Sequence, residues 1–136
     1  MITIEQGEWQ CITEYEYGDM INTGGLGPCT GIVMHDPVSK IVIAGHFTDP
    51  DTHEDYKLSA MISCANSQFT NSSQVNVTVT GRVGDTDSQS EFEESLGTML
   101  SPSKYNIIYE WPDASVDSID LEIDPESGDT DTFTTT

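Results

Sequence analysis

The sequence predicts an α+β fold: a mostly antiparallel, sandwich-like β-sheet core with two helices packed on it. Three observations carry that expectation. Short stretches along the chain alternate apolar and polar residues or run apolar throughout, as strands do. Two longer stretches, after residues 52 and 88, repeat their apolar residues at helical intervals. The length, 136 residues, is that of one domain, expected to span 1–136.

Residues 2–17 hold Ile2, Ile4, Trp9, Ile12, Tyr15 and Tyr17, a loose strand signal. Asn22-Thr23-Gly24-Gly25-Leu26-Gly27-Pro28 is loop by composition. Residues 29–35 and 40–47 are apolar runs parted by Asp36-Pro37-Val38-Ser39, the pattern of a hairpin. Both runs are apolar on both faces in their middles, which predicts central strands covered on two sides. Thr52 is an expected N-cap, and Leu58, Met61, Ile62 and Ala65 form one helical stripe. Val75, Val77 and Val79 mark a half-buried strand. Ser88 to Glu91 fits a capping box that opens a second helix, with Phe92, Leu96, Met99 and Leu100 on its apolar face. Tyr105 to Trp111 and Ile119, Leu121, Ile123 are further strands, and Pro125 to Gly128 turns the chain. The stretch 129–136 reads as a last strand or a frayed tail.

Charge excludes several functions. With 24 acidic residues against 4 basic ones, the net charge is −20. That surface repels phosphate, so neither nucleic acid nor an anionic membrane is an expected partner. The acids are spread along the chain, as on a solvated face suited to a salty cytoplasm. The N-terminal Met1 to Glu5 lacks the basic and apolar regions of a signal peptide, which points to a cytoplasmic protein. An effector secreted without such a signal is the alternative.

Three cysteines, Cys11, Cys29 and Cys64, make an odd number with no CxxC pair, so neither a disulfide framework nor a structural metal is expected. Cys11 and Cys64 are expected to be ordinary small residues, and His35 and His53 surface ones. Cys29 and His46 differ. If Asp36 to Ser39 are the four turn residues, Val33 faces Val42 of the other strand by Gly31 facing Ala44 and Cys29 facing His46, in pairs of constant sum. A thiol and an imidazole then meet at the open end of the hairpin. The Gly-rich segment before Cys29 leaves room for a substrate. An imidazole can take the thiol proton and return one to a leaving group.

These residues resemble a known family. Thr23, Leu26-Gly27-Pro28-Cys29, the Asp-Pro turn and His46-Phe47 with Pro50 are similar to CheD, the chemoreceptor glutamine deamidase. Thr23 to Cys29 and Cys29 to His46 have the six- and seventeen-residue separations of that family's catalytic Thr, Cys and His. The wider group includes the deamidase domain of the cytotoxic necrotizing factors. The likeness covers residues 22–50. Pro28 stands where the family has Ser, and the family's later Gly-Gly-x-x-Gly-Arg element is missing.

The resemblance implies a thiol-dependent amidohydrolase acting on a Gln or Asn carboxamide of a protein or peptide. Cys29 would be the nucleophile, His46 the proton carrier and Thr23 the residue that orients His46. Backbone N–H groups of Gly25, Leu26 and Gly27 would stabilise the oxyanion, and no metal or other cofactor is required. The alternatives are a non-catalytic binding module of the same fold and an acidic decoy for a basic protein.

Charge also sets the response to salt. Like charges repel across the folded surface, and 1 M salt shortens the screening length to about 3 Å. The melting temperature should therefore rise between 0.05 M and 1–2 M sodium chloride, measured by thermal melts.

Overall fold

The computed structural model describes residues 1–48, 52–72 and 74–136, the side chains of 52–56 excepted. In chain order the elements are β1 (Ile2–Thr3), β2 (Trp9–Ile12), β3 (Ile21–Thr23), β4 (Thr30–His35), β5 (Val42–Phe47), α1 (Thr52–Gln68), β6 (Val75–Gly81), α2 (Thr86–Met99), β7 (Tyr105–Tyr109), β8 (Ser118–Ile123) and β9 (Thr130–Thr135). One sheet has the order β1-β3-β8-β9 and the other β2-β5-β4-β6-β7. The fold is thus α+β, with two helices and two mixed sheets.

The apolar hairpin lies at the centre. Every residue of β4 and β5 is buried, because each strand has a covered layer on both faces. On one face Ile32, Met34, Ile43 and Phe47 meet Leu58, Met61, Ile62 and Ala65 of α1 and Phe92 and Leu96 of α2. On the other, Val33, Val42 and Ala44 meet Ile21, Leu121 and Ile123 of the smaller sheet. Fully burying each such aliphatic side chain contributes about 1.5–3 kcal/mol. The period-two alternation of side chains along these strands assigns odd residues of β4 and even residues of β5 to the space between the sheets.

Two pairings are parallel, β1 with β3 and β6 with β7. The second follows from α2, which carries the chain back across the sheet and so obliges β7 to run with β6. The other pairings are antiparallel.

Several local expectations are corrected. The stretch 2–17 is not one strand. Gly7, at φ 81°, and a turn closed by Glu8 N–H on the Glu5 carbonyl at 3.1 Å send β1 and β2 into different sheets. The expected loop 22–28 begins as strand, since Asn22 and Thr23 pair with Glu122 and Leu121. Helix α2 starts earlier than Ser88, because the Asp85 carboxylate accepts the Ser88 N–H at 3.1 Å and caps it. The residues 130–135 form β9 against β8. The expected Thr52 cap rests on a side chain outside the described residues, as does His53. Pro50 also lies outside them. Among the described residues no helix is long and apolar enough to cross a membrane.

Strand β6 ends on Gly81 at φ 117°, where an added Cβ would run into the Cys29 carbonyl. Gly97, in α2, has nothing within 4 Å of such a Cβ. Gly81→Ala should cost at least about 2 kcal/mol in urea unfolding. Gly97→Ala should be neutral or add up to about 1 kcal/mol.

Candidate active site

The site lies between the two sheets, where β3 of one approaches β4 and β5 of the other. Its parts come from both. Thr23 ends β3 and is fully buried. His46 is the penultimate residue of β5 and 4% exposed; Cys29 immediately precedes β4 and is 5% exposed.

The hairpin register differs from the sequence expectation. Gly31, not Cys29, pairs with His46, and Thr30 pairs with Phe47. The turn lies one residue later than expected. Asp36 N–H bonds the Ile41 carbonyl at 3.2 Å, so Pro37 to Lys40 form the turn, with Lys40 left-handed at φ 63°. The Asp36 carboxylate holds that turn by accepting from Val38 N–H at 3.0 Å and the Ser39 hydroxyl at 2.7 Å. Moving the turn by one residue moves the pairing by two, and two is the side-chain period of a strand. Cys29 therefore stays on the face of His46, placed diagonally rather than directly opposite. It packs in the inter-sheet cluster with Leu26, Val33 and Ala44.

Small residues let the sheets come together here. A Cβ on Gly31 would sit 2.7 Å from Leu26 Cδ1 and 3.2 Å from Thr23 Cγ2. With glycine there, Thr23 reaches across, and its Oγ1 lies 2.7 Å from His46 Nδ1. The same Oγ1 donates to the Ile4 carbonyl at 2.9 Å. A carbonyl can only accept, so the single hydroxyl proton is committed to Ile4. Nδ1 must then carry the proton in its contact with Thr23, which leaves Nε2 with a bare lone pair.

Further constraints act on His46. Its N–H donates to the Glu8 carbonyl and its carbonyl accepts from Gly7 N–H, both at 2.9 Å. Burial pushes the imidazole below its ordinary value of 6.5, partly opposed by the Glu5 carboxylate. The ring is thus neutral at neutral pH and able to accept a proton. Nε2 is buried without a hydrogen-bond partner among the described residues. Such a vacancy is costly in an ordinary core, by about 1–3 kcal/mol.

The glycine-rich loop has a different use from the one the resemblance implies. Gly25 N–H donates to Asp120 Oδ1 at 2.9 Å. Leu26 N–H donates to the Ile119 carbonyl at 3.0 Å and Gly27 N–H to the Gly25 carbonyl at 2.9 Å. Pro28 has no N–H. The donors of Gly25 and Leu26 therefore hold the loop on β8, that of Gly27 closes the loop on itself, and none of the three is directed at a substrate. Leu26 is fully buried in the core.

The other cysteines and His35 lie elsewhere. Cys11 on β2 and Cys64 on α1 are half-buried with their thiols in contact, and burial, then the Cys64 neighbour, pushes Cys11 up to about 11. His35 is not the surface residue expected. It is buried, its Nε2 lies 2.8 Å from the Pro125 carbonyl, and Gly128 leaves the space its ring fills.

Sequence reasoning missed Gly81 and Arg82. Arg82 is 3% exposed and lies beside the Cys29 segment. The signal was present: it is the one arginine of a very acidic chain, and it follows a glycine at the end of an alternating apolar strand. An open groove of about 640 Å³ adjoins the same segment, with Gly27, Pro28, Thr48, Asp85 and Asp117 among its lining residues. No protein-family model matches the chain, and no curated protein matches it.

Proposed function

We propose that this chain is a cysteine-dependent amidohydrolase that deamidates a Gln or Asn side chain of a protein or peptide, with Cys29 as nucleophile and His46 as proton carrier. One observation carries the reading: Thr23 sits 2.7 Å from His46 Nδ1 with its own proton given to Ile4. That arrangement leaves Nε2 as a base on the face that holds Cys29. Nε2 is buried with no hydrogen-bond partner among the described residues, on the strand face that Cys29 shares.

The chemistry follows from the groups. Nε2 accepts the thiol proton, and the thiolate attacks the carboxamide carbon. The tetrahedral adduct collapses as Nε2 returns the proton to the departing nitrogen, releasing ammonia and leaving a thioester on Cys29. Water then attacks the thioester, Nε2 takes its proton, and the Cys29 thiol is restored with a carboxylic acid as product. Thr23 keeps the ring in the one tautomer that serves both halves. The resemblance of residues 22–50 to CheD supports the same chemistry and a related fold.

The test is ammonia release from Gln- and Asn-containing peptides and folded proteins, with the mass gain of the deamidated product. Cys29→Ser and His46→Ala should each lower the rate by about 10³-fold or more, because serine is far harder to ionise and alanine carries no proton. Thr23→Val should lower it by about 10–100-fold, the usual cost of losing a residue that orients another. In parallel, iodoacetamide below pH 7 should label Cys29 well before Cys11, whose thiol is held protonated. Ammonia release that persists in Cys29→Ser would contradict the mechanism. A Cys29 as slow as an ordinary peptide thiol would favour a binding module.

A further inference from the structure

Residues 82 and 83 grip the segment that carries Cys29. Arg82 N–H donates to the Cys29 carbonyl at 2.9 Å, and Val83 N–H to the Gly27 carbonyl at 2.8 Å. The Arg82 guanidinium adds two more bonds: Nη1 donates to the Pro28 carbonyl at 3.0 Å, and Nε donates to the Thr30 hydroxyl. Four consecutive residues, Gly27 to Thr30, thus each present one acceptor to this pair. Two of those bonds come from one side chain and span Cys29, one on each side of it.

Arg82 is itself firmly placed. It is left-handed at φ 47°, an uncommon backbone state for a residue with a Cβ, directly after Gly81. Gln89 Nε2, from α2, donates to its carbonyl at 2.8 Å. Its guanidinium carbon lies 5.7 Å from the centre of the Phe92 ring. Phe92 belongs to the helix-covered core, and Thr30 alternates with Cys29 along the chain. The guanidinium therefore works on the face opposite the thiol.

We infer that Arg82 is a positioning residue for the proposed nucleophile, fixing the backbone on both sides of Cys29 through its forked bonds to Pro28 and Thr30 and so holding the thiol toward His46. The inference rests on the reading of Cys29 as nucleophile. The fork matters because an arginine presents several donors in one plane, whereas a lysine ammonium is a single point that cannot span the two acceptors in the same way. Pro28 makes the need plain, since it brings the segment an acceptor but no donor.

The experiment follows Cys29 alkylation by iodoacetamide across pH in the wild type, Arg82→Met, Arg82→Lys and Thr30→Val, with mass spectrometry of the Cys29 peptide and a melting curve for each protein. A thiol within reach of the neutral His46 ring passes its proton to Nε2 as it attacks and so reacts at a lower pH than an ordinary thiol. A thiol that has drifted away follows its ordinary pKa of about 8.5. Arg82→Met should slow alkylation near pH 6.5 by at least about 10-fold and move the profile toward that ordinary value. Arg82→Lys should recover part of the loss. Thr30→Val removes one acceptor while keeping the arginine, and should shift the profile the same way by less, so the inference stays open to refutation should Arg82→Met fail to fold. A purely structural role would lower the melting temperature and leave the alkylation profile of the folded variants on that of the wild type. That result, with a reactive wild type, overturns the positioning role alone. A wild-type Cys29 without reactivity below pH 7 overturns the nucleophile reading and this inference with it.

Discussion

A threonine hydroxyl has one proton to give, and in this protein the Ile4 carbonyl takes it. The rest of the site depends on that commitment. Because Thr23 is spoken for, His46 must donate through Nδ1, and because His46 donates there, its Nε2 is left bare. Ile4 and Thr23 belong to the smaller sheet's side of the molecule, His46 to the larger sheet. The hydrogen bond therefore also ties the two layers together at the end where Cys29 enters β4. Packing of Val33, Val42 and Ala44 against Ile21, Leu121 and Ile123 brings the layers to that distance. Gly31 permits the last approach, since any side chain there would meet Leu26 and Thr23.

Burial then acts on the same group from a second direction. Withdrawing His46 from water disfavours its charged form and lowers its proton affinity. A neutral ring is the state in which the tautomer matters, because only then does one nitrogen lack a proton. Position, tautomer and protonation state are thus set by three separate features: the pins at Gly7 and Glu8, the Thr23 hydroxyl, and the covering layers. The proposed nucleophile, Cys29, is held by a comparable division of labour. Its loop is fastened to β8 by Gly25 and Leu26, while Arg82 and Val83 hold its far side.

Much of this was legible in the residues. The apolar faces of β4 and β5 announced central strands, and the Asp-Pro turn announced a hairpin. The face shared by Cys29 and His46 was readable because a turn displaced by one residue shifts the register by two, which preserves the face even as it moves the partner. Other features depend on contacts that no local pattern reports. Thr23 reads as loop until Leu121, far along the chain, pairs with it. Arg82 reads as one more charge until its guanidinium is seen turned inward on Pro28 and Thr30. The loop donors of Gly25 and Leu26 could be assigned only once Asp120 and Ile119 were placed beside them. His35 reads as a hairpin-tip residue until the β8–β9 turn closes over it.

The central claim is a statement about one proton, and it can be observed directly. Nitrogen-15 chemical shifts and long-range proton couplings of the His46 ring distinguish a protonated Nδ1 from a protonated Nε2. Recorded across pH, they also report where the ring titrates. The account predicts a neutral ring protonated at Nδ1 near neutral pH, with titration below the ordinary value of 6.5. A ring protonated at Nε2, or one that remains charged at neutral pH, would contradict it.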